Sequence, residues 1–235
     1  TDNMTISGET IDYGPCAFMD QYHPKTVFSS IDKLGRYAYS NQPPITKWNL
    51  TRFAECLIPL IDKNEDTAIK IATDVIDNFQ NIYEKKWLNM MRDKLGLFGE
   101  DKNDKKLIDA LLNWMEKNKI DYTNIFCHLM DIKIDNNTYK DKTFLTWFDE
   151  WKKRSQLNNS YKEKQIELMK KNNPIVIPRN HKVEEALADV DKGNLEKFKN
   201  FLKVLNDPYS NNQNIKEFQK PAPITNKKYR TFCGT

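Results

Sequence analysis

Apolar positions recur at helical spacing along most of the chain and alternate only near its start. From about Pro44, Leu50, Phe53, Ala54, Leu57, Ile58 and Ile61 stand at i, i+3, i+4, i+7, i+8 and i+11, one face of a helix. Pro59 predicts a kink near its end. A second stripe, Ala68, Ala72, Val75, Phe79, Ile82, Tyr83, Trp87, Met90 and Met91, predicts a single helix of roughly eight turns, closed by Gly96 and Gly99. Further helices are predicted at about 104–118, 122–131, 142–156, 161–172, 181–191 and 194–206. Ser160 and Glu163 form a capping box for the fourth of these, and Asn180 reads as the N-cap of the fifth, with His181 in its first turn. Leu195, Phe198, Phe201, Leu202 and Leu205 stripe the last. Phe144, Trp147, Phe148 and Trp151 fall on one helical face with Asp149 and Glu150 between them, which predicts core packing and not a base-stacking platform.

Three stretches lack this period. In residues 1–15, Met4, Ile6 and Ile11 alternate with polar neighbours around Ser7-Gly8, which predicts a short β-hairpin with a two-residue turn. In that register Met4 faces Ile11, Thr5 faces Thr10, and Asn3 faces Asp12 at the open end. An amide oxygen beside a carboxylate is a hard-oxygen pair that suits Mg²⁺, with phosphate and water supplying the remaining ligands. The same residue types also flank plain surface hairpins. Asp2 adds a carboxylate able to take a proton from a hydroxyl, although strict alternation turns it to the opposite face. Residues 16–44, with Pro24, Pro43 and Pro44, predict a long ordered loop of functional type, in which Arg36 and Tyr37 suit either contact with substrate or phosphate, or anchoring of the loop. Beyond Asp207-Pro208 the chain is rich in Asn, Pro and Lys and reads as an extended surface tail over 207–235.

Composition narrows the function. Only 7 of 235 residues are glycine, which favours helices over sheets. Lys and Arg exceed Asp and Glu by 37 − 33 = 4, with both signs interspersed, so no basic field marks a nucleic-acid binder. No apolar run approaches the length of a membrane span. The cysteines, at 16, 56, 127 and 233, contain no CxxC; they suggest neither a disulfide scaffold nor a paired-thiolate zinc site, and a reducing cytoplasm is the expectation. His23, His128 and His181 lack partners at zinc-ligand spacing. GxGxxG, GxxxxGK[ST] and GxSxG are all missing. The opening TDNMTISGET has neither an initiator Met nor a secretory leader pattern, so the chain reads as a fragment.

Asp12-Tyr13-Gly14, an Asp-aromatic-Gly triplet with Asn3 before it, looks like the metal-binding half of a protein-kinase active site. TDNMTI with TIDYGP (1–15), GRYAYSNQP (35–43), WNL (48–50), NPIVIPRNHKVEEAL (173–187) and YRTFCGT (229–235) together resemble, in order, the selenoprotein O family of kinase-like enzymes. The resemblance implies a mainly α kinase-like C-lobe: a metal-site hairpin at 1–15, an activation-type loop at 16–44, a helical core at 45–206 and the tail, with the N-lobe of the same protein absent. It implies an enzyme that transfers AMP from ATP to hydroxyl side chains of proteins, with Mg²⁺, or Mn²⁺ in its place, as cofactor, while usage rich in Lys, Asn and Ile suits a bacterial source with an AT-rich genome. Asp2 resembles the family's proton acceptor; Asn3 and Asp12 resemble its metal ligands, with Asp12 also close to the nucleotide. Family members often end in a redox-active cysteine or selenocysteine, which gives Cys233 two readings, a reversible partner of Cys16 or an unpaired thiol. The isolated chain is expected to be inactive. Conventional phosphotransfer at the same site and a non-enzymatic helical docking module are the alternatives.

Overall fold

The computed structural model describes residues 4–9, 17–132, 137–157, 162–211 and 215–223. Among them the chain is mainly helical and contains no strand, only an isolated antiparallel bridge between Gln21 and Asp121. It divides into two compact units, one formed by Pro24–Trp87 with residues 4–9, the other by Ala17–His23 with the described part of Leu88–Arg230.

In the first unit, residues 4–9 reverse direction without forming the predicted strands. Gly8 takes the left-handed conformation that a tight reversal requires (φ +70°), and the Thr5 hydroxyl donates to the Glu9 carbonyl at 3.0 Å. The Glu9 N–H bonds the Ser7 hydroxyl at 3.3 Å, a local side-chain bond that replaces the ladder bond a hairpin would make back to Ile6. Asp2, Asn3, Asp12, Cys16 and Cys233 lie outside the described residues.

The loop before the first helix is ordered by its own polar groups. Both Asp32 carboxylate oxygens accept backbone N–H bonds, from Arg36 at 2.8 Å and Tyr37 at 2.9 Å. The Arg36 guanidinium lies 4.8 Å from the Trp48 ring centre, which favours the anchoring role for this residue. A 3-10 turn, Tyr39–Asn41, leads into α1, Gln42–Ile61. Pro43 and Pro44 stand in its first turn, where missing N–H groups cost nothing, and Pro59 sits within its last. After a short turn α2, Glu65–Asp77, folds back; the Asn64 side chain caps it by accepting from Thr67 N, and a Lys47–Asp77 ion pair at 3.2 Å ties the two helices.

The stripe from Ala68 to Met91 is two helices, not one. Asn78 separates α2 from α3, Phe79–Lys94. Its backbone stays near helical values, so the apolar stripe keeps phase through the break, while its short amide engages Asn81 locally at 3.3 Å. Gly96 ends α3 with φ +66°, and a Cβ there would lie 2.5 Å from Gln165 Cγ, so only glycine fits.

In the second unit α4 is Asp104–Asn118, α5 Tyr122–Leu129, α6 Lys142–Ser155, α7 Lys162–Asn172, α8 Asn180–Val190, α9 Glu196–Leu205 and α10 Lys216–Gln219. Asp121 and Asp141 cap α5 and α6 through their carboxylates. The core joins Ile108, Leu111 and Met115 of α4 to Phe126 of α5, Phe144 of α6 and Met169 of α7, all almost fully buried. The aromatic stripe packs as its spacing predicts: Phe144 stacks on Trp114 at 4.6 Å, and the indole N–H groups of Trp147 and Trp151 donate to the Leu107 and Leu95 carbonyls, each at 2.9 Å.

Two expectations for this unit need correction. The tail is not extended throughout, because Ile215, Phe218 and Gln219 recur at helical spacing: Ile215 and Gln219 are buried about α10, and Phe218 stacks on Phe201 at 5.2 Å. The cap of α8 is Arg179 and not Asn180, since the Arg179 carbonyl accepts the first helical bonds, from Lys182 N and Val183 N. Ser160 lies outside the described residues, so the capping box is not seen.

Candidate functional site

The segment that follows the Asp-Tyr-Gly triplet is pinned to the helical core at Asp20–Tyr22. Tyr22 N donates to the Ile120 carbonyl at 2.8 Å and Tyr122 N to the Asp20 carbonyl at 2.7 Å, and the Tyr22 and Tyr122 rings stack at 5.8 Å. Under this bridge lies Arg179, 1% exposed, which enters from the turn before α8. One of its terminal nitrogens bonds both Asp20 and Asp121, the latter at 2.7 Å; the other bonds Asp121 at 3.1 Å and the Asn124 amide oxygen at 3.4 Å. Burial disfavours the charged guanidinium, but the Asp121 and Asp20 carboxylates outweigh that and hold it protonated. The Arg179 Nε, Asn180 Oδ1 and His181 Nδ1 atoms are buried and find no hydrogen-bond partner among the described residues.

The C-terminal segment reaches the same cluster. Ala222 N donates to Asp20 at 3.3 Å, Asn124 donates to the Gln219 carbonyl at 3.0 Å, and the Gln219 side chain donates to the Ile175 carbonyl at 3.2 Å. The buried arginine therefore holds two stretches of chain directly, Asp20 and the start of α5, and Asp20 and Asn124 in turn bond the segment around α10.

Arg179→Lys keeps the charge but loses the fork that serves two carboxylates at once. It is expected to cost about 1–2 kcal/mol and to speed hydrogen exchange in residues 17–23; unchanged exchange there would remove the clasp role.

Beside the clasp, Lys94 is nearly buried, with its ammonium 4.3 Å from the Phe126 ring centre and 5.6 Å from that of Tyr122. Burial lowers its pKa to about 8. The folded state sheds this proton before the unfolded chain does, so wild-type stability rises with pH between about 8 and about 10.4. Lys94→Met is therefore expected to gain about 1–2 kcal/mol at neutral pH after loss of the ring contacts. That gain should fade by about pH 10.4 in urea unfolding across the range; a gain that ignores pH would contradict the buried charge. Burial pushes the neighbouring Cys127 thiol up to about 12, so it is not a nucleophile.

Among the described residues no group of three or more His, Cys, Asp or Glu is placed to hold a metal ion, and no helix is long and apolar enough to cross a membrane. The predicted metal ligands Asn3 and Asp12, the predicted proton acceptor Asp2, and the Cys16 and Cys233 pair all fall outside those residues. The Arg179 clasp is not foreseen by the sequence reading. Its signal was an arginine closing the apolar run Ile175-Val176-Ile177, since a cation carried into a core by such a run needs buried carboxylates.

The chain belongs to the family of protein adenylyltransferase SelO, whose model matches residues 1–206. It is 61% identical over 236 residues to the protein nucleotidyltransferase YdiU of Pelagibacter ubique (strain HTCC1062), covering all of this chain and 49% of that protein. Proteins of the same name from Nitrosococcus oceani and Alkaliphilus metalliredigens are 47% and 50% identical over 237 residues, again covering all of this chain and 48% of each relative. The chain thus spans about half the length of these curated relatives.

Proposed function

We propose that the full-length protein transfers AMP from ATP to side-chain hydroxyls of proteins, and that this chain supplies a kinase-like C-lobe of packed helices to that enzyme. Membership of the adenylyltransferase family over residues 1–206 carries the reading. Asn3 and Asp12 are the residues that would hold Mg²⁺, or Mn²⁺ in its place; an amide oxygen with a carboxylate suits a hard cation that keeps water and phosphate as its other ligands. When bound, such an ion neutralises charge developing on the phosphoryl oxygens. Asp2 accepts the proton of the attacking hydroxyl, and Asp12 also faces the nucleotide.

The Arg179 clasp supports this reading through position. It holds Asp20, a few residues beyond the triplet, on the rigid junction of α4 and α5, so the stretch leaving the metal site is fixed at its far end. Cys233 has a role to play if it pairs reversibly with Cys16 and restrains the same stretch from the tail.

The test is the full-length protein with Mg²⁺ and ATP labelled at either the α- or the γ-phosphate. Label on protein is expected from the α position only, and none from this chain alone. Label from the γ position would assign conventional phosphotransfer. No label from either would leave a docking module.

A further inference from the structure

We infer that the groove between α1 and α2 is the seat of a helix from the other half of the full-length protein. Of the 20 residues of α1 only Asn49 is buried, and of α2 only Ala68. Leu60 and Val75 stand 81% and 66% exposed. Among the described residues, helices this bare bury little of the apolar surface from which a core is built.

The groove itself is a built feature. Ala54, Ile58 and Pro59 of α1 face Ile69, Ala72 and Ile76 of α2 across an open volume of about 950 Å³. The α2 positions fall at i, i+3 and i+7, so they form one continuous apolar face of that helix. The rest of the lining is mixed, with Thr51 and Thr73 beside lysines and carboxylates, as in a protein interface where an apolar centre meets polar and charged groups. The occupant follows from length. The relatives that match all of this chain are about twice as long, so the intact protein has a comparable mass of chain available to cover the face.

Ile69→Cys places a thiol in the groove, and Asp74→Cys, on the opposite face of α2, serves as the control. Each is read by maleimide labelling and peptide mass analysis in this chain and in the full-length protein. Ile69→Cys is expected to label at least about tenfold more slowly in the full-length protein, the change that a 1.4 kcal/mol cost of opening would give, while Asp74→Cys labels alike in both. Hydrogen exchange on the unsubstituted proteins repeats the comparison without a variant, with α1 and α2 amides expected to slow in the full-length form. Equal labelling and exchange in both proteins would overturn the assignment. So would protection in this chain alone: if it grows with protein concentration the occupant is a second copy, and if it does not, the chain covers itself. None of these readouts depends on catalysis, so they stand apart from the adenylyl-transfer reading.

Discussion

Asp104→Asn is expected to destabilise the second unit by about 3–5 kcal/mol, the cost of leaving buried charges without their partner. Asp104 opens α4 and is fully buried, and its carboxylate is shared by two arginines: Arg92 Nε at 2.7 Å, and Arg154 at 2.6 Å and 3.1 Å. It also accepts from Asp101 N at 2.9 Å. Arg154 spends its remaining donors on the Phe98 and Gly99 carbonyls, at 3.2 and 3.0 Å. The carboxylate therefore joins the end of α3, the turn after it, and α6. An asparagine would keep the shape but present an amide N–H₂ to one guanidinium and leave two cations facing each other in the core.

The same cluster sets a pH dependence. Burial raises the Asp104 pKa, but the hydrogen bonds from Arg154, Asp101 N and Arg92 outweigh it and hold the carboxyl below its usual range. A depressed carboxyl contributes stability that is present above the unfolded value of about 3.9 and is lost as pH falls through the folded value. Urea unfolding of wild type should weaken over that acidic range, while Asp104→Asn, already weak, should follow a flatter curve. A variant within about 0.5 kcal/mol of wild type at neutral pH would show that the pair is ordinary surface chemistry.

The helices were legible in the sequence because each carries its own signal. The predicted 104–118 coincides with α4, and α5 to α9 begin and end within about two residues of their predicted bounds, the ordinary disagreement at helix ends. Gly96 stops α3 as a left-handed C-terminal residue should. The break at Asn78 escaped because a residue with helical backbone angles leaves the apolar period intact. The two arginine clusters escaped for another reason. Arg154 lies 50 residues from Asp104, and Arg179 lies 159 from Asp20, so no local pattern joins them; only the fold does. Of the candidate site, Asn3 and Asp12 rest on the sequence reading, as they lie outside the described residues, and the clasp that holds Asp20 was not legible in it.

The second large effect is on catalysis. Asp12 is proposed both to bind the metal and to face the nucleotide, so its removal strips two contributions to charge stabilisation at once. The buried clusters that hold the second unit are built from other residues, so stability should change little. The decisive measurement is transfer of label from α-labelled ATP to protein by the full-length enzyme with Mg²⁺, wild type against Asp12→Ala, with thermal unfolding measured on both. The account predicts labelling by wild type, a loss of at least about a hundredfold in the variant, close to 3 kcal/mol of barrier, and unfolding curves that superimpose. Equal labelling by the two proteins would contradict it.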